Sequence, residues 1–334
     1  MISVKKVFIS LSLIACWLLI SSWGFLVHKT VQQLAIYELP KSIRPFFYLH
    51  KDKLVYDAPR PDIRRNQDST EATKHFIDLE MYGNNAATEM PLNWNDAVKK
   101  YTKDSLVKYG YVPYHVIYMQ GKLTDAFRAQ NKDSILFYAS DLGHYISDAH
   151  VPLHTTVNYD GQLSNQKGIH SLWESMIPEI EITHYNLYSK HHATYLKHPE
   201  QAIWSAVRIS AALVPEMLAK EKELSVSFTD AQKYRVQIRK GKEYKSYTSE
   251  FAKAYAISLK SSINDQLLAS ANLIADFYYT AWVDAGKPNL DELHTEFSHA
   301  ERKAMKKELK QFKKNTLIAS DKLIAKKSSA KEEF

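Results

Sequence analysis

The sequence predicts an all-α protein, a single multi-helix domain, on three observations. Only nine of the 334 residues are glycine, few for a turn-rich β protein of this length. Its longest apolar segments repeat at three- and four-residue steps, the period of a helix with one buried face. No convincing run of alternating apolar and polar residues stands out, and no internal repeat is visible.

Taken in order, residues 23–38 carry Phe25, Leu26, Val27, Val31, Leu34, Ala35 and Ile36, a helix with a broad buried face that Pro40 closes. Residues 41–49 read as a second short helix. Pro59, Pro61 and Asp62 predict a loop over 56–66. Ser69, Thr70 and Glu71 can cap a short helix containing His75 and Asp78. Residues 84–94 read as loop and 95–108 as helix; Pro113 then sits in the first turn of a helix running to about 129. A central helix opens at Asp133-Ser134 and stops near His150, because Pro152 pushes its predecessor out of the α region. A loop over 158–168, with Asn165 as a cap, leads to a helical stretch over 168–176. A long helix over 199–223 tolerates Pro215. Residues 228–245 look like a polar, basic excursion. The longest periodic segment, 246–282, ends at the stop signal Gly286-Lys287-Pro288.

Charge is unevenly spread. The net charge is +7, but residues 302–331 hold eleven Lys/Arg against two acids, Glu308 and Asp321. That tail alone is +9, so the remainder sums to −2. The bulk of the chain is therefore not a nucleic-acid binder by composition. In the tail, Met305, Leu309, Phe312, Leu317 and Ile318 recur among lysines, a weakly amphipathic pattern. Residues 291–334 are expected to form a basic helical tail outside the main domain. It would lie on an anionic membrane surface, grip nucleic acid, or stay solvated.

Residues 1–22 read as an export signal: Lys5 and Lys6, a largely apolar run over 7–20, then Ser21-Ser22 for cleavage. The run is short for a transmembrane helix. An uncleaved anchor and lipidation at Cys16, in a box-like Leu13-Ile14-Ala15-Cys16, are the alternatives; against lipidation, residues 17–20 continue the apolar run. Cys16 is the only cysteine. Cleavage after Ser22 leaves no disulfide and no thiolate, so any metal must be held by nitrogen and oxygen. The mature protein is expected in the periplasm or outside the cell, as a monomer.

The densest chemistry lies between Asp141 and His154, which includes His144, Asp148 and His150. On a helix His144 and Asp148 leave the same face; His154 follows just past the helix end, and His150 points elsewhere. Two further pairs repeat the theme: His75 with Asp78, and His170 with Glu174 at a four-residue spacing. Each histidine alone reads as an ordinary core or surface group. Together they are the nitrogen and carboxylate ligands a hydrolytic zinc site uses.

These motifs, as they stand here, are Trp23-Gly-Phe-Leu-Val-His28, Pro61-Asp62, His75-Phe76-Ile77-Asp78, Gly143-His144 with Asp148, Pro152-Leu153-His154, and His170-Ser-Leu-Trp173-Glu174. The sequence carrying them resembles the superfamily that joins bacterial zinc-dependent phospholipase C to the single-strand-specific zinc nucleases of plants and fungi. The resemblance covers 23 to about 175, and the helices to Gly286 fit its length, giving a domain over 23–290. It implies an all-α fold around three zinc ions. One would take Asp62, His75, His144 and Asp148. A second would take His154, His170 and Glu174. The third would take the α-amino nitrogen and carbonyl of Trp23 with His28, sharing Asp148. A backbone amine can ligate only at a mature N-terminus, so the resemblance favours simple cleavage after Ser22.

The implied reaction is phosphodiester hydrolysis by a hydroxide bridging two zinc ions, with Asp62 orienting or deprotonating the water and Asp148 bridging metals. Two substrate classes remain open. Glu174, where the nuclease branch differs, resembles the phospholipase branch. Phe76 and Asp78 resemble a base-binding pair, an aromatic face and an acceptor, and with Trp173 lean toward a nuclease on single-stranded DNA or RNA. Ile63 and Ala72 stand where a choline-specific lipase places aromatics. A scaffold protein that merely keeps the fold is the third reading, and the intact ligand set speaks against it.

Overall fold

The computed structural model describes residues 24–239, 242–293 and 297–326. The expected signal peptide and Trp23 lie outside the described residues. Helix makes up 66 % of a mostly helical single domain. In chain order the helices are α1 (Phe25–Glu38), α2 (Arg44–Leu49), α3 (Lys51–Asp57), α4 (Arg60–Arg64), α5 (Ala86–Glu89), α6 (Trp94–Tyr101), α7 (Lys103–Tyr109) and α8 (Val112–Arg128). They continue with α9 (Lys132–Asp148), α10 (Ile169–Ser171), α11 (Ile177–Glu181), α12 (Pro199–Ser225), α13 (Asp230–Lys233), α14 (Ser249–Leu259), α15 (Ser262–Asp284) and α16 (His299–Lys313). A two-stranded antiparallel hairpin, β1 (Tyr234–Arg239) and β2 (Lys242–Tyr247), lies between α13 and α14.

Helix α9 is the centre. The Asn131 side chain caps it by accepting from the Ser134 N–H. From Ala139 to Asp148 every residue is buried, because α1, α3, α8 and α15 surround it. A helix enclosed on all sides cannot show a clean amphipathic stripe. Its polar side chains, Ser140, Asp141, His144 and Asp148, must therefore be answered by neighbours. Gly143 is what lets α1 come close: a Cβ there would stand 2.1 Å from Gln32 Oε1. At the far end Val151 is extended (φ −87°, ψ 116°) ahead of Pro152, and a 3-10 turn over Pro152–Thr155 folds His154 back.

Several segments differ from expectation for identifiable reasons. The 56–66 loop is largely helical, because Pro59 and Pro61 occupy the cap and first turn of α4, where the missing N–H costs nothing. The 95–108 helix divides at Thr102 (φ 65°), whose hydroxyl caps α7. His75 and Asp78 do not share a helix; only a 3-10 turn, Ala72–Lys74, forms. The chain then runs between two others, with Ile77 N–H bonded to His154 O and Asp78 N–H to Tyr109 O. The long C-terminal segment breaks at Lys260 (φ 55°) before Ser261-Ser262, a pair that competes with the helix backbone for hydrogen bonds. The excursion over 228–245 holds most of the hairpin, which runs on to Tyr247; the alternation of β1, Tyr234, Val236 and Ile238, is only three residues long and interleaved with polar ones.

The tail is also corrected. A capping box of Ser298 and Glu301 starts α16. Phe312 is buried against Tyr37 and Tyr188, and Leu317, Leu323 and Ala325 are buried in the main core. Glu308 is 4 % exposed and accepts from Tyr37, Tyr48 and Lys51. Gln33 on α1 donates to Lys322 O and accepts from Ile324 N–H. The segment over 297–326 is an integral layer of the domain rather than a peripheral tail. The apolar residues scattered among its lysines are the ones the core claims.

Candidate metal centre

Four separate stretches deliver side chains to one buried region. Helix α1 supplies His28, α4 supplies Asp62, the segment after the 3-10 turn supplies His75, and α9 supplies His144 and Asp148. The turn after α9 adds His154. An expanded π-helical turn, Leu172–Met176, adds Glu174 one turn beyond His170. Such widened turns recur at functional sites.

The side chains gather into three groups able to hold an ion: His28, His144 and Asp148; Asp62, His75 and His144; and His154, His170 and Glu174. Asp148 stands among them. Its Oδ2 lies 2.9 Å from His75 Nδ1 and 3.3 Å from His144 Nε2, and its Oδ1 lies 3.7 Å from both His28 Nε2 and His154 Nδ1. Glu174 Oε2 is 2.7 Å from His170 Nε2 and 3.6 Å from His154 Nε2, while its Oε1 is 3.6 Å from His28 Nε2. Asp62 Oδ1 is 3.6 Å from His75 Nδ1 and 3.8 Å from His144 Nε2.

The rings are locked so that one nitrogen of each faces inward. His144 Nδ1 donates to Ala58 O (2.9 Å) and His154 Nδ1 to His75 O (2.7 Å), which leaves both Nε2 lone pairs free. His75 turns its Nε2 toward Glu71 Oε1 (3.5 Å) and presents Nδ1. Consequently ring nitrogen meets ring nitrogen. His144 Nε2 and His75 Nδ1 are 3.1 Å apart, as are His154 Nε2 and His170 Nε2. Two nitrogens on one tetrahedral zinc would be separated by about 3.3 Å. Both ring nitrogens of His28 are buried without a hydrogen-bond partner, and Asp148 Oδ2 and His75 Nε2 have close but poorly aligned approaches from His75 Nδ1 and Glu71 Oε1. Buried polar atoms without partners are costly, and coordination would answer several at once. The donor set, imidazoles and carboxylates with no thiolate, fits zinc.

Electrostatics point the same way. Burial alone would push all these imidazoles toward neutrality. For His144 it wins, lowering the ring to about 3. For His75 the carboxylates of Asp148 and Glu71 outweigh burial and raise it to about 9. His28 and His154 are likewise raised by Glu174 and Asp148 against burial. Asp148 is held below the ordinary carboxylate range despite burial, chiefly by His144, His154 and His75. The carboxylates thus demand positive charge, which either protons or cations can supply.

Of the residues expected to ligate, the structure brings together His28, Asp62, His75, His144, Asp148, His154, His170 and Glu174. Trp23 lies outside the described residues, although the next residue, Gly24, packs near Ser175 Oγ. Phe76 and Asp78 belong to none of the three groups. Phe76 is half-buried, with its backbone and ring close against Gly110. Burial, then Glu80, raises the Asp78 carboxyl to about 6. His150 points away, as expected, and hydrogen-bonds Ile146 O.

Two residues were missed. Glu71 is wholly buried and accepts from Arg64, Lys74 and Tyr145 while facing His75. It precedes His75 by four residues, the same acid–histidine interval that marked the other pairs. Tyr159 is 54 % exposed, and its ring meets that of His170 edge-on at 6.4 Å. Comparison with known protein-family models and with curated proteins gives no match.

Proposed function

We propose that this protein is a zinc-dependent hydrolase of phosphodiester bonds, phospholipase C-like, of the superfamily its motifs resemble. The observation that supports the reading is the packing of three ligand groups around Asp148: two of them share His144, and the Asp148 carboxylate lies within 3.7 Å of His28, His75, His144 and His154, at least one imidazole from each group. Adjacent multi-metal clusters of this type serve phosphoryl chemistry. Zinc bound there would supply Lewis-acid charge against phosphate oxygens and make water acidic near neutral pH.

The protein's own groups have separable tasks. Asp62 is the most open of the three ligand carboxylates, 29 % exposed against 1 % for Asp148 and 13 % for Glu174, so it can reach a solvent-derived proton. Asp148, buried between four imidazoles, holds the groups in register. Glu174 ties His28 to the His154–His170 pair. Glu71 keeps His75 oriented. Phe76 and Asp78 belong to the wall beside His75 in this reading.

A second reading, a single-strand-specific zinc endonuclease, is favoured by one observation: the exposed ring of Tyr159 beside His170, a surface on which a base can stack. The deciding experiment assays the zinc-loaded protein side by side on phospholipid vesicles and single-stranded DNA. Release of phosphorylated headgroup, abolished by chelator and restored by zinc, is expected. DNA cleavage without lipid turnover selects the second reading. Neither activity at any zinc loading rejects both.

A further inference from the structure

The hairpin formed by β1 and β2 changes character along its length. At its base Tyr234 pairs with Tyr247. Tyr247 is buried, stacks on Phe251 and donates to Glu221 and to Gln166 O. Residues directly paired across the strands share a face, so Val236 and Ile238 continue the face of Tyr234 and Tyr247. Yet Val236 is 50 % and Ile238 79 % exposed, and on the opposite face Tyr244 is 52 % exposed. The apolar residues of β1 that continue the anchored face thus run on into solvent, with Lys245 and Glu243 of β2 beside them on that face.

Charge accompanies it. Between Arg235 and Lys245 there are five Lys/Arg and one acid, Glu243. This +4 is concentrated in eleven residues, whereas the rest of the chain outside the basic C-terminal layer sums to −6, so the hairpin and that layer are its two positive features. Exposed β-branched side chains in a cation-rich stretch match the interface of an anionic bilayer, where aliphatic groups enter the acyl boundary and cations meet headgroups. Nucleic acid would reward the cations equally. It offers little to Val236 and Ile238, which have no π face to stack on a base.

We propose that the hairpin over 234–247 docks the protein on an anionic lipid surface. The proposal is independent of the catalytic reading, since it concerns adsorption alone. Its relation to the centre is direct, however: Tyr247 lies against Gly168, 3.5 Å from where a Cβ would stand, and Gly168 opens the turn that carries His170.

The test is flotation of the purified full chain with vesicles of phosphatidylcholine alone and with 30 % phosphatidylglycerol, in about 0.1 M salt. The quantity read is the phosphatidylglycerol-dependent excess, which cancels any adsorption through other apolar segments. The wild type should bind the anionic vesicles and be released at high salt. Val236→Asp with Ile238→Asp should lose at least about tenfold of that excess. Arg235→Gln with Lys245→Gln should lose a comparable share, circular dichroism and zinc content being unchanged in both. An absent phosphatidylglycerol preference, or a double-aspartate variant that floats like wild type, overturns the proposal. So does binding to single-stranded DNA that exceeds vesicle binding and survives the aspartates, which would make the hairpin a nucleic-acid element.

Discussion

His154 Nδ1 donates to the backbone carbonyl of His75 across 2.7 Å, joining two candidate ring ligands that lie 79 residues apart in sequence. The bond fixes the tautomer of one ligand through the position of another. It makes the His154–His170 pair and the His75–His144 pair parts of one frame. A frame that holds ring nitrogens 3.1 Å apart beside buried carboxylates is stabilised by a cation that both nitrogens can coordinate.

Chelation should therefore lower the thermal midpoint, and zinc should restore it. With free metal at 100 to 1,000 times its dissociation constant, linkage gives about 3–4 kcal/mol. Scanning fluorimetry with and without chelator measures the shift, alongside elemental analysis, where two or three zinc ions per chain are expected. Identical midpoints and at most one metal would sink the multi-metal reading. Asp148→Asn should lower metal content more than any other single ligand change, since its two oxygens face four imidazoles.

Glu71→Gln should weaken zinc binding about 10- to 100-fold without touching a ligand. The carboxylate faces His75 Nε2 and is itself fixed by Arg64, Lys74 and Tyr145. A zinc titration against a competing dye reads the change. An unaltered affinity in a less stable variant would make Glu71 a structural charge only.

The C-terminal layer offers a stability test. Glu308 is the buried meeting point of Tyr37, Tyr48 and Lys51, with Lys51 Nζ 2.6 Å from Oε1. Glu308→Ala leaves a largely buried ammonium and two hydroxyls without their acceptor. It should cost about 3–5 kcal/mol, read as a shift in the urea midpoint. Truncation before residue 298 should cost more, because Phe312, Leu317 and Leu323 leave the core. A truncated chain as stable as wild type would show the layer to be dispensable.

The helical class and most of the residues that cluster into groups able to hold an ion were legible because each rests on local information: glycine scarcity, apolar period, and acid–histidine intervals within a turn. What was not legible depends on long-range contacts. Pro59 and Pro61 read as loop until α4 is seen to start there. His75 and Asp78 read as helix until the strand-like pairing with His154 and Tyr109 is seen. The tail looked peripheral because Phe312 and Leu317 recur irregularly; the rings Phe312 meets, Tyr37 and Tyr188, lie far back in the sequence. Glu71 was visible as a possible cap but not as a partner of His75, since both roles place an acid at the same position.

A pH test lies far from the centre. Glu38 at the end of α1 is 2 % exposed and accepts from Ser189. Burial raises its carboxyl from 4.5 to about 7. The folded state therefore prefers Glu38 protonated. Its contribution is intact below about pH 4.5 and is lost as pH rises through about 7. Glu38→Gln should accordingly match wild type near pH 4.5 and exceed it by up to about 3 kcal/mol at pH 8. Comparing the two proteins at each pH cancels the titration of the histidine centre. A difference independent of pH would mean that Glu38 is ionised throughout.

Substrate choice turns on the aromatics. Phe76 was expected to stack a base, but its ring packs against Gly110 and is half-buried. Tyr159 is open and stands beside His170. If single-stranded nucleic acid is the substrate, stacking is worth about 1–3 kcal/mol per base, or about five- to a hundred-fold in affinity. Tyr159→Ala should then raise KM on single-stranded DNA by about that factor and spare a small aryl phosphodiester, which needs only the metal centre. Phe76→Ala should instead act mainly through folding, lowering stability because it empties the contact with Gly110. If phospholipid is the substrate, Tyr159→Ala should leave headgroup release from vesicles within about twofold. The ratio of the two Tyr159→Ala effects thus separates the readings by the chemistry each demands of an exposed ring. A Phe76→Ala protein of normal stability, with a selective defect on DNA, would return the base-stacking role to Phe76.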